Sequence, residues 1–375
     1  MAGIYIHIPF CRQKCYYCDF YKTVNTTHQS KFIAALKQEI NQRKNYLANN
    51  EINTIYFGGG TPSVLLPNEL EEILKEIHGQ FQVSKTVEIT FEANPDDLLI
   101  DYLKALHMLG INRLSIGIQS LNNELLQKMN RRHDSNQAFL AIENAVKTGF
   151  KNITVDLIYG IPGLSRNEWK KSLEKTFTLP VQHLSAYHLT YHEGTPFYSW
   201  LKKGTLKELS EPESIRQFEI LVETAEKYQF EQYEISNFAR DKQYSKHNTA
   251  YWLGIPYLGL GPSAHSFNGN SRRWNIAHIE RYISAIEKQT EYFQEEILSD
   301  NEKYNEFILT RIRTIWGISE EELERNFGAE KRNYFMRNIE KYFKSGLVIK
   351  KNNTYNLTVK GLFVSDEIMA NLMYI

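Results

Sequence analysis

The sequence contains very little cysteine. Only three cysteines occur among its 375 residues, and all of them lie in one short segment, as Cys11, Cys15 and Cys18. The chain also has no net charge, because 44 Lys and Arg balance 44 Asp and Glu. No apolar run approaches the roughly 18 residues that a membrane-spanning helix needs. We therefore expect no disulfide framework, no integral membrane segment and no nucleic-acid partner.

The first residues lack the pattern of a secretory signal. No basic stretch precedes an apolar core and a small-residue cleavage site. An odd number of cysteines fits a reducing compartment, so we expect the protein to act in the cytoplasm. Apolar residues make up 42% of the chain, which is enough for a sizeable core.

The cysteine spacing, Cys-x3-Cys-x2-Cys, is typical of a metal site, because thiolates select zinc or iron–sulfur clusters. Structural zinc needs four ligands, so His7 would have to join the three cysteines. An iron–sulfur cubane usually has four cysteine ligands, and three would leave one iron free to bind a small molecule. A third alternative is that the cysteines are buried apolar side chains. The uneven spacing suits a loop around a cube and favours the cubane.

Strand and helix patterns alternate over the first 240 residues. Runs rich in strand-forming residues occur at 3–9, 52–58, 86–92, 113–119, 152–160 and 183–189, and helical patterns separate them. Helices between successive strands imply parallel pairing with right-handed crossovers. Six such units predict an α/β fold, a partial (β/α)6 barrel similar to a TIM barrel. Functional residues should then lie at the carboxyl ends of the strands.

The pattern changes after about residue 290. Three short helical patterns precede a hairpin pattern with its turn at 351–353, and a last helix is predicted near 360–372. This order predicts a winged-helix-like C-terminal cap domain. Its mixed charge favours a packing or substrate-covering role over nucleic-acid binding. We expect the barrel at 1–240, a connecting segment at 241–290 and the cap at 291–375.

Three motifs at strand ends could bind a ligand. YFGGGTP follows the second strand, and its glycines let the backbone approach a ligand closely, although they also suit a simple tight turn. Glu92 ends the third strand and could accept hydrogen bonds from ribose hydroxyls, although an acid there also suits a helix N-terminus. Asp156 lies in an apolar strand, where an acid without a partner is costly.

The segments IYIHIPFC and KCYYCDF together resemble the radical S-adenosylmethionine (SAM) superfamily. More narrowly, the chain resembles the oxygen-independent coproporphyrinogen III oxidase-like family. That resemblance implies the partial barrel, a [4Fe–4S] cluster on Cys11, Cys15 and Cys18, SAM at the open iron, and an electron donor for the cluster. The residues that it implies for the SAM site are Tyr5, Tyr17, Gly59, Gly60, Thr61, Glu92, Gln119, Arg131, Asp156 and Thr190.

Position 20 separates two branches of this family. The decarboxylating branch has a fourth cysteine two residues after the third, and this chain has Phe20 there. The CDF ending and the words YEISNFA and HNTAYW are instead similar to the haem-chaperone branch. That likeness implies haem or another tetrapyrrole as cargo, haem-accepting proteins as partners, and a haem-binding word formed by His247, Asn248, Tyr251 and Trp252.

Two alternatives stay open at this point. The residues of the HNTAYW word could instead cap a turn and pack in the core. The protein could also be an oxidase that converts coproporphyrinogen III to protoporphyrinogen IX by oxidative decarboxylation. We assign no catalytic residue from the sequence.

Overall fold

A computed structural model describes residues 1–48 and 51–375 of the chain. Six parallel strands form the centre of its largest sheet, and they are neighbours in the order in which they occur in the sequence. They are β1 (Ala2–Ile8), β2 (Ile52–Gly59), β3 (Val83–Ala93), β4 (Arg113–Gln119), β5 (Ile153–Tyr159) and β6 (His183–His188). The partial α/β barrel predicted from the alternating pattern is confirmed.

Every crossover between these strands contains a helix, as parallel pairing requires. The helices are α1 (Gln29–Gln42), α2 (Pro67–Gln80), α3 (Ile100–Met108), α4 (Asn123–Lys128), α5 (Ser135–Lys147) and α6 (Arg166–Phe177). Helix α2 buries Leu70, Ile73, Leu74 and Ile77, which lie on one face because they are three or four residues apart. Helix α1 ends at Gln42. Arg43 is the C-cap residue of α1, and its Nη1 donates a hydrogen bond to Gly259 O at 3.0 Å.

Two further helices, α7 (Pro196–Lys202) and α8 (Glu211–Lys227), follow β6. The segment 231–239 forms two short strands, β7 (Glu231–Gln232) and β8 (Asn237–Ala239), and β8 pairs antiparallel with β6. The interruption arises at Glu234, whose carboxylate accepts hydrogen bonds from Ser236 N and the Asn237 side chain and so holds a turn.

The next segment extends the other edge of the sheet. It contains α9 (Lys246–Trp252), β9 (Tyr257–Leu260), β10 (His265–Phe267), β11 (Ser271–Asn275), α10 (Ile279–Glu287) and β12 (Phe293–Ile297). Strand β9 pairs parallel with β1, and β10, β11 and β12 continue antiparallel. Helix α9 packs on β1 and β2 near their first residues. It therefore covers the amino-terminal end of the barrel, opposite the end at which the cysteines lie.

The C-terminal part has its own small core and a three-stranded sheet. Its elements are α11 (Asp300–Arg311), β13 (Ile318–Ser319), α12 (Glu320–Lys344), β14 (Val348–Lys351), β15 (Thr354–Leu357), α13 (Val359–Phe363) and α14 (Ser365–Leu372). Gly328, with a φ of +83°, breaks α12 into the two predicted helices. The order of helices and hairpin is that of a winged helix, so the predicted cap is confirmed. No helix in the described ranges is long and apolar enough to cross a membrane.

One buried carboxylate fastens α1 to the added edge of the sheet. Glu39 is fully buried and accepts hydrogen bonds from Gly261 N at 2.8 Å, the Asn275 side chain at 2.7 Å and the Tyr282 hydroxyl at 2.6 Å. Arg43 lies 3.5 Å from the same carboxylate. These partners come from three separate segments, so Glu39 joins regions that are far apart in sequence.

We expect Glu39→Ala to destabilise the fold strongly, because it leaves Arg43 and three donors without their shared acceptor. The free energy of unfolding should fall by about 3–5 kcal/mol. Glu72→Ala is the matched control, since Glu72 forms an exposed ion pair with Lys37 and its loss should change stability by less than about 1 kcal/mol. Urea unfolding followed by circular dichroism measures both variants, and equal losses would contradict the role of Glu39.

Candidate functional site

A cavity of about 430 Å³ lies inside the barrel. The three cysteines line it at the carboxyl ends of the strands, and Ser245 and Asn248 line it beside α9. Side chains from β2, β3, β4, β5 and β6 line it between these limits. The cavity therefore extends from the cysteine loop towards the helix that covers the opposite end of the barrel.

Backbone hydrogen bonds fix the cysteine loop on the barrel. Cys11 N donates to Thr23 O at 2.9 Å, and Thr23 N donates back to Pro9 O at 2.7 Å. Tyr16 N donates to Met129 O at 3.1 Å, which joins the middle of the loop to the end of α4. The loop is thus anchored at its start and at its centre, so the thiols of Cys11, Cys15 and Cys18 all reach one cavity.

Each thiol has a hydrogen-bond donor or a cation beside it. Thr61 Oγ1 donates to Cys11 Sγ at 3.2 Å, and Arg131 Nη1 donates to Cys15 Sγ at 3.4 Å. Burial raises the pKa of Cys11 to about 11 and also raises the pKa of Cys18, while the Lys22 ammonium opposes both shifts. These donors and cations suit thiolates, which are the metal-binding form of cysteine.

A zinc site that includes His7 does not fit this geometry. His7 Nε2 lies 2.9 Å from Tyr21 O, and Nδ1 lies 3.2 Å from the Tyr5 hydroxyl, so both ring nitrogens have partners. Within residues 1–48 and 51–375, no group of three or more His, Cys, Asp or Glu side chains is arranged around a single metal ion. Three thiols on one cavity wall, each with a donor or cation, fit a larger cluster such as a cubane.

The glycine-rich turn packs directly beneath the cysteine loop. Gly60 N donates to Ile8 O and Thr61 N donates to Phe10 O, both at 2.8 Å. Gly59 has a φ of +106°, and a Cβ there would lie 2.6 Å from His7 Nδ1, so only glycine fits without strain. The turn is tight because the cysteine loop approaches it so closely, and Gly59, Gly60 and Thr61 all line the cavity.

Two carboxylates face the cavity from neighbouring parts of the barrel. Burial raises the pKa of Glu92 to about 7, although the hydrogen bond from the Tyr56 hydroxyl, 2.7 Å long, lowers it. Burial also raises the pKa of Asp156 to about 6, against hydrogen bonds from Ser185 and Ser115. Both acids titrate near neutral pH, so their charge is sensitive to a ligand that enters the cavity.

Arg131 lies between the cysteine loop and the strand ends. Its Nη2 donates to Asn94 Oδ1 and to Gly117 O, both at 2.6 Å, and its Nε has no hydrogen-bond partner in the described part of the chain. Gln119 ends β4 with a φ of +67°, an uncommon value for a residue other than glycine, and it also lines the cavity. Donors are therefore available beside the cysteines for an anionic group.

The structure brings most of the predicted SAM-site residues into this one cavity. Those that line it are Tyr17, Gly59, Gly60, Thr61, Glu92, Gln119, Arg131, Asp156 and Thr190. Tyr5 does not line it. The Tyr5 ring lies behind Tyr56, with ring centroids 6.0 Å apart, and its hydroxyl contacts His7. The SAM assignment of these residues stays a prediction, and so do the domain boundaries.

The predicted haem-binding word forms α9. His247 is buried, with Nδ1 2.8 Å from Thr54 Oγ1 and Nε2 2.8 Å from the Tyr251 hydroxyl. Burial lowers the pKa of His247 to about 3. Arg313 stacks on Trp252, 4.3 Å from the ring centroid, and Asn248 alone of these four residues lines the cavity. This geometry favours the packing alternative for His247, and haem binding by the word stays a prediction.

Sequence reasoning missed several residues of the cavity. Lys22 and Asn94 lie close in sequence to predicted site residues, so their positions could have indicated that they belong to the site. Arg113 and His183 lie deeper, at the first residues of β4 and β6, and Thr90 lies beside Arg113 in the sheet register. Nothing in the local sequence distinguishes them from ordinary strand residues, because their orientation depends on the curvature of the barrel.

The fold and the site together define a radical SAM protein. The Radical SAM superfamily profile matches residues 5–176, and the HemN C-terminal domain profile matches residues 298–364. The structure of coproporphyrinogen III oxidase (HemN) from Escherichia coli superposes with a TM-score of 0.86 over 99% of this chain and 90% of that chain, at 24% identity.

Relatives that match over nearly the full length of the chain show to which family of radical SAM proteins it belongs. The chain is 32% identical to "Heme chaperone HemW" of Bacillus subtilis over 373 residues, which cover 99% of this chain and 98% of that protein. It is also 32% identical to the Lactococcus lactis protein of the same name over 370 residues, which cover 98% of this chain and 96% of that protein. The chain belongs to the HemW haem chaperone family of radical SAM proteins.

We expect Glu92→Gln to change how stability depends on pH. Above the unfolded pKa of 4.5 and below the folded value of about 7, the folded parent binds a proton that the unfolded chain has lost. Parent stability therefore decreases as pH rises through this window, and the Gln variant lacks that loss. Relative to the parent, the variant should gain about 1–3 kcal/mol between pH 4.5 and pH 8. Urea unfolding without SAM measures this, with exposed Glu71→Gln as control, and a flat difference would contradict the raised pKa.

Proposed function

We propose that this chain is a radical-SAM-type [4Fe–4S] protein that binds haem and delivers it to acceptor proteins. The observation that carries the proposal is Phe20. Phe20 is 64% exposed and borders the cavity together with Cys18, at the position where the decarboxylating branch has a fourth cysteine. The relatives that match over nearly the whole chain support it, since they are named haem chaperones.

In this proposal Cys11, Cys15 and Cys18 hold the cluster. When bound, the cluster supplies an electron and one iron that is open to SAM. Lys22 and Arg131 balance the thiolate charge, and Thr61 donates a hydrogen bond to Cys11. An electron donor is a required partner, and a reducing compartment such as the cytoplasm keeps the three thiols free for the cluster.

The residues above the glycine-rich turn would bind SAM. Arg131 has an unpartnered Nε within the described ranges, and this donor suits the SAM carboxylate. Glu92 is positioned to accept hydrogen bonds from the ribose hydroxyls, and Asp156 supplies a second acceptor deeper in the cavity. Gly59 and Gly60 leave room for the amino-acid part of the ligand because they carry no side chain.

Haem binding through the HNTAYW word would require α9 to move. His247 could ligate iron only by giving up its hydrogen bond with Thr54 or with Tyr251. Tyr251 and Trp252 could stack on a porphyrin only if they left their present neighbours, which include Tyr257 and Arg313. We therefore assign α9 a structural role as the helix that covers the barrel, and we propose that haem binds elsewhere on the protein.

We expect Cys15→Ser to prevent cluster assembly while the barrel stays folded, because serine replaces a thiolate ligand without changing the loop backbone. Anaerobic reconstitution followed by iron and sulfide analysis should show loss of most of the cluster. Lys14→Ser is the matched control, since Lys14 is exposed on the same loop. Full cluster content in the Cys15 variant, with unchanged circular dichroism, would contradict the ligand assignment.

We expect His247→Ala to lower stability by about 1–3 kcal/mol, because two buried hydrogen bonds are lost, and to leave haem binding unchanged. Anaerobic haem titration, followed at the Soret band, measures affinity and iron ligation in the same protein. His28→Ala is the control, since the His28 side chain pairs with Glu280 at the surface. A weakened titration or a shifted Soret band in a folded His247 variant would instead assign the iron ligand to His247. If the parent protein does not bind haem, the proposed function is contradicted.

A further inference from the structure

The deep end of the cavity contains a buried guanidinium that forms no salt bridge with any described residue. Arg113 is 1% exposed and begins β4, near the end of the barrel that α9 covers. Its Nη1 donates to Asn152 Oδ1 at 2.5 Å and its Nη2 donates to Thr154 Oγ1 at 2.6 Å. Both partners are neutral, although arginine stays charged in proteins. A buried charge is expensive unless an opposite charge meets it.

The nearby carboxylates are already bound to other donors. Glu88 Oε1 accepts from Lys246 N at 2.8 Å and from His247 N at 3.3 Å. Both oxygens of Asp156 lie 3.2 Å from the Ser115 hydroxyl, which donates to that carboxylate. The guanidinium influences the pKa of both acids, but neither forms a salt bridge with it among the described residues.

Two further residues that line the cavity each carry one buried polar atom without a hydrogen-bond partner in the described chain. Thr90 lies opposite Arg113 in the sheet register, and His183 lies opposite Thr154. Both line the cavity and are at most 1% exposed. Thr90 Oγ1 and His183 Nδ1 have no hydrogen-bond partner in residues 1–48 and 51–375. Buried polar groups in native proteins normally have hydrogen-bond partners, so we expect a ligand atom to supply the missing partner of each of these two atoms.

His183 can act as a donor at this site. His183 Nε2 lies 2.7 Å from the Tyr233 hydroxyl, whose oxygen accepts from Ser245 N at 3.4 Å. In the tautomer that receives the Tyr233 hydrogen at Nε2, the single proton of a neutral imidazole lies on Nδ1. Arg113, Thr90 and His183 all line the cavity and each can donate a hydrogen bond, and Arg113 carries a positive charge.

We propose that the deep end of the cavity is a binding site for a carboxylate group, held by Arg113, Thr90 and His183. A carboxylate supplies the missing negative charge and up to four acceptor positions. The site lies beyond Asp156, on the side of the cavity away from the cysteines. The group belongs either to a small free acid or to a carboxylate arm of a larger ligand.

The first test uses acetate as probe on the reconstituted full-length protein. We expect acetate to raise the melting temperature more than chloride at equal ionic strength, because a ligand that binds only the folded state stabilises it. Thr90→Val removes one donor and should weaken acetate binding by about tenfold. The same change should leave or raise basal stability, since the hydroxyl has no partner within the described ranges. Thr249→Val is the matched control, because Thr249 Oγ1 is also buried and unpartnered in the described chain but does not line the cavity.

The second test separates the two sources of the carboxylate, and this arm rests on the proposed haem function. If the group is a haem propionate, haem should bind more tightly than haem dimethyl ester, and Thr90→Val should remove that difference. Arg113→Gln should abolish binding of either probe in a folded protein. The proposal is overturned if acetate behaves as chloride and the two haems bind equally, or if Thr90→Val leaves both affinities unchanged. Acetate binding without any haem binding would contradict the haem proposal alone.

Discussion

Compensation of buried charge is the constraint on which this structure depends. The barrel encloses a polar cavity, and each charged group buried in its wall needs a partner. Around the cysteine loop, Lys22 and Arg131 offset thiolates. Outside the barrel wall, the Glu39 carboxylate accepts hydrogen bonds from donors in three segments. The positions of α1, the cysteine loop and α9 all follow from where these charges find partners.

The same constraint separates two halves of the cavity. Near the cysteines, donors surround the thiols, and the acids Glu92 and Asp156 titrate near neutral pH. Near α9, Arg113 and its neighbours present donors and a positive charge. A ligand with both an acceptor end and a donor-rich end would therefore have a preferred orientation. The HNTAYW word contributes to this arrangement through α9, whose first amides bind Glu88.

Local sequence patterns predicted the parts of the fold that depend on short-range physics. The alternation of strands and helices predicted the barrel, and the hairpin turn was correctly placed because Asn352 and Asn353 tolerate positive φ. The cysteine spacing predicted a shared site, and the thiols do line one cavity. Local patterns do not report long-range contacts. The Tyr5 ring, for example, packs against Tyr56 of the neighbouring strand and does not line the cavity. The inner layer at Arg113 appears only when distant strands are brought together.

The most direct test of the central claim is an anaerobic turnover assay. Reconstituted protein would receive dithionite, SAM and coproporphyrinogen III, and protoporphyrinogen and 5′-deoxyadenosine would be quantified together. If the protein is a haem carrier with Phe20 in place of a fourth cysteine, the cluster should stay intact and SAM should bind. Protoporphyrinogen should then not form catalytically. Multiple turnovers to protoporphyrinogen would contradict the account and identify the chain as an oxidase.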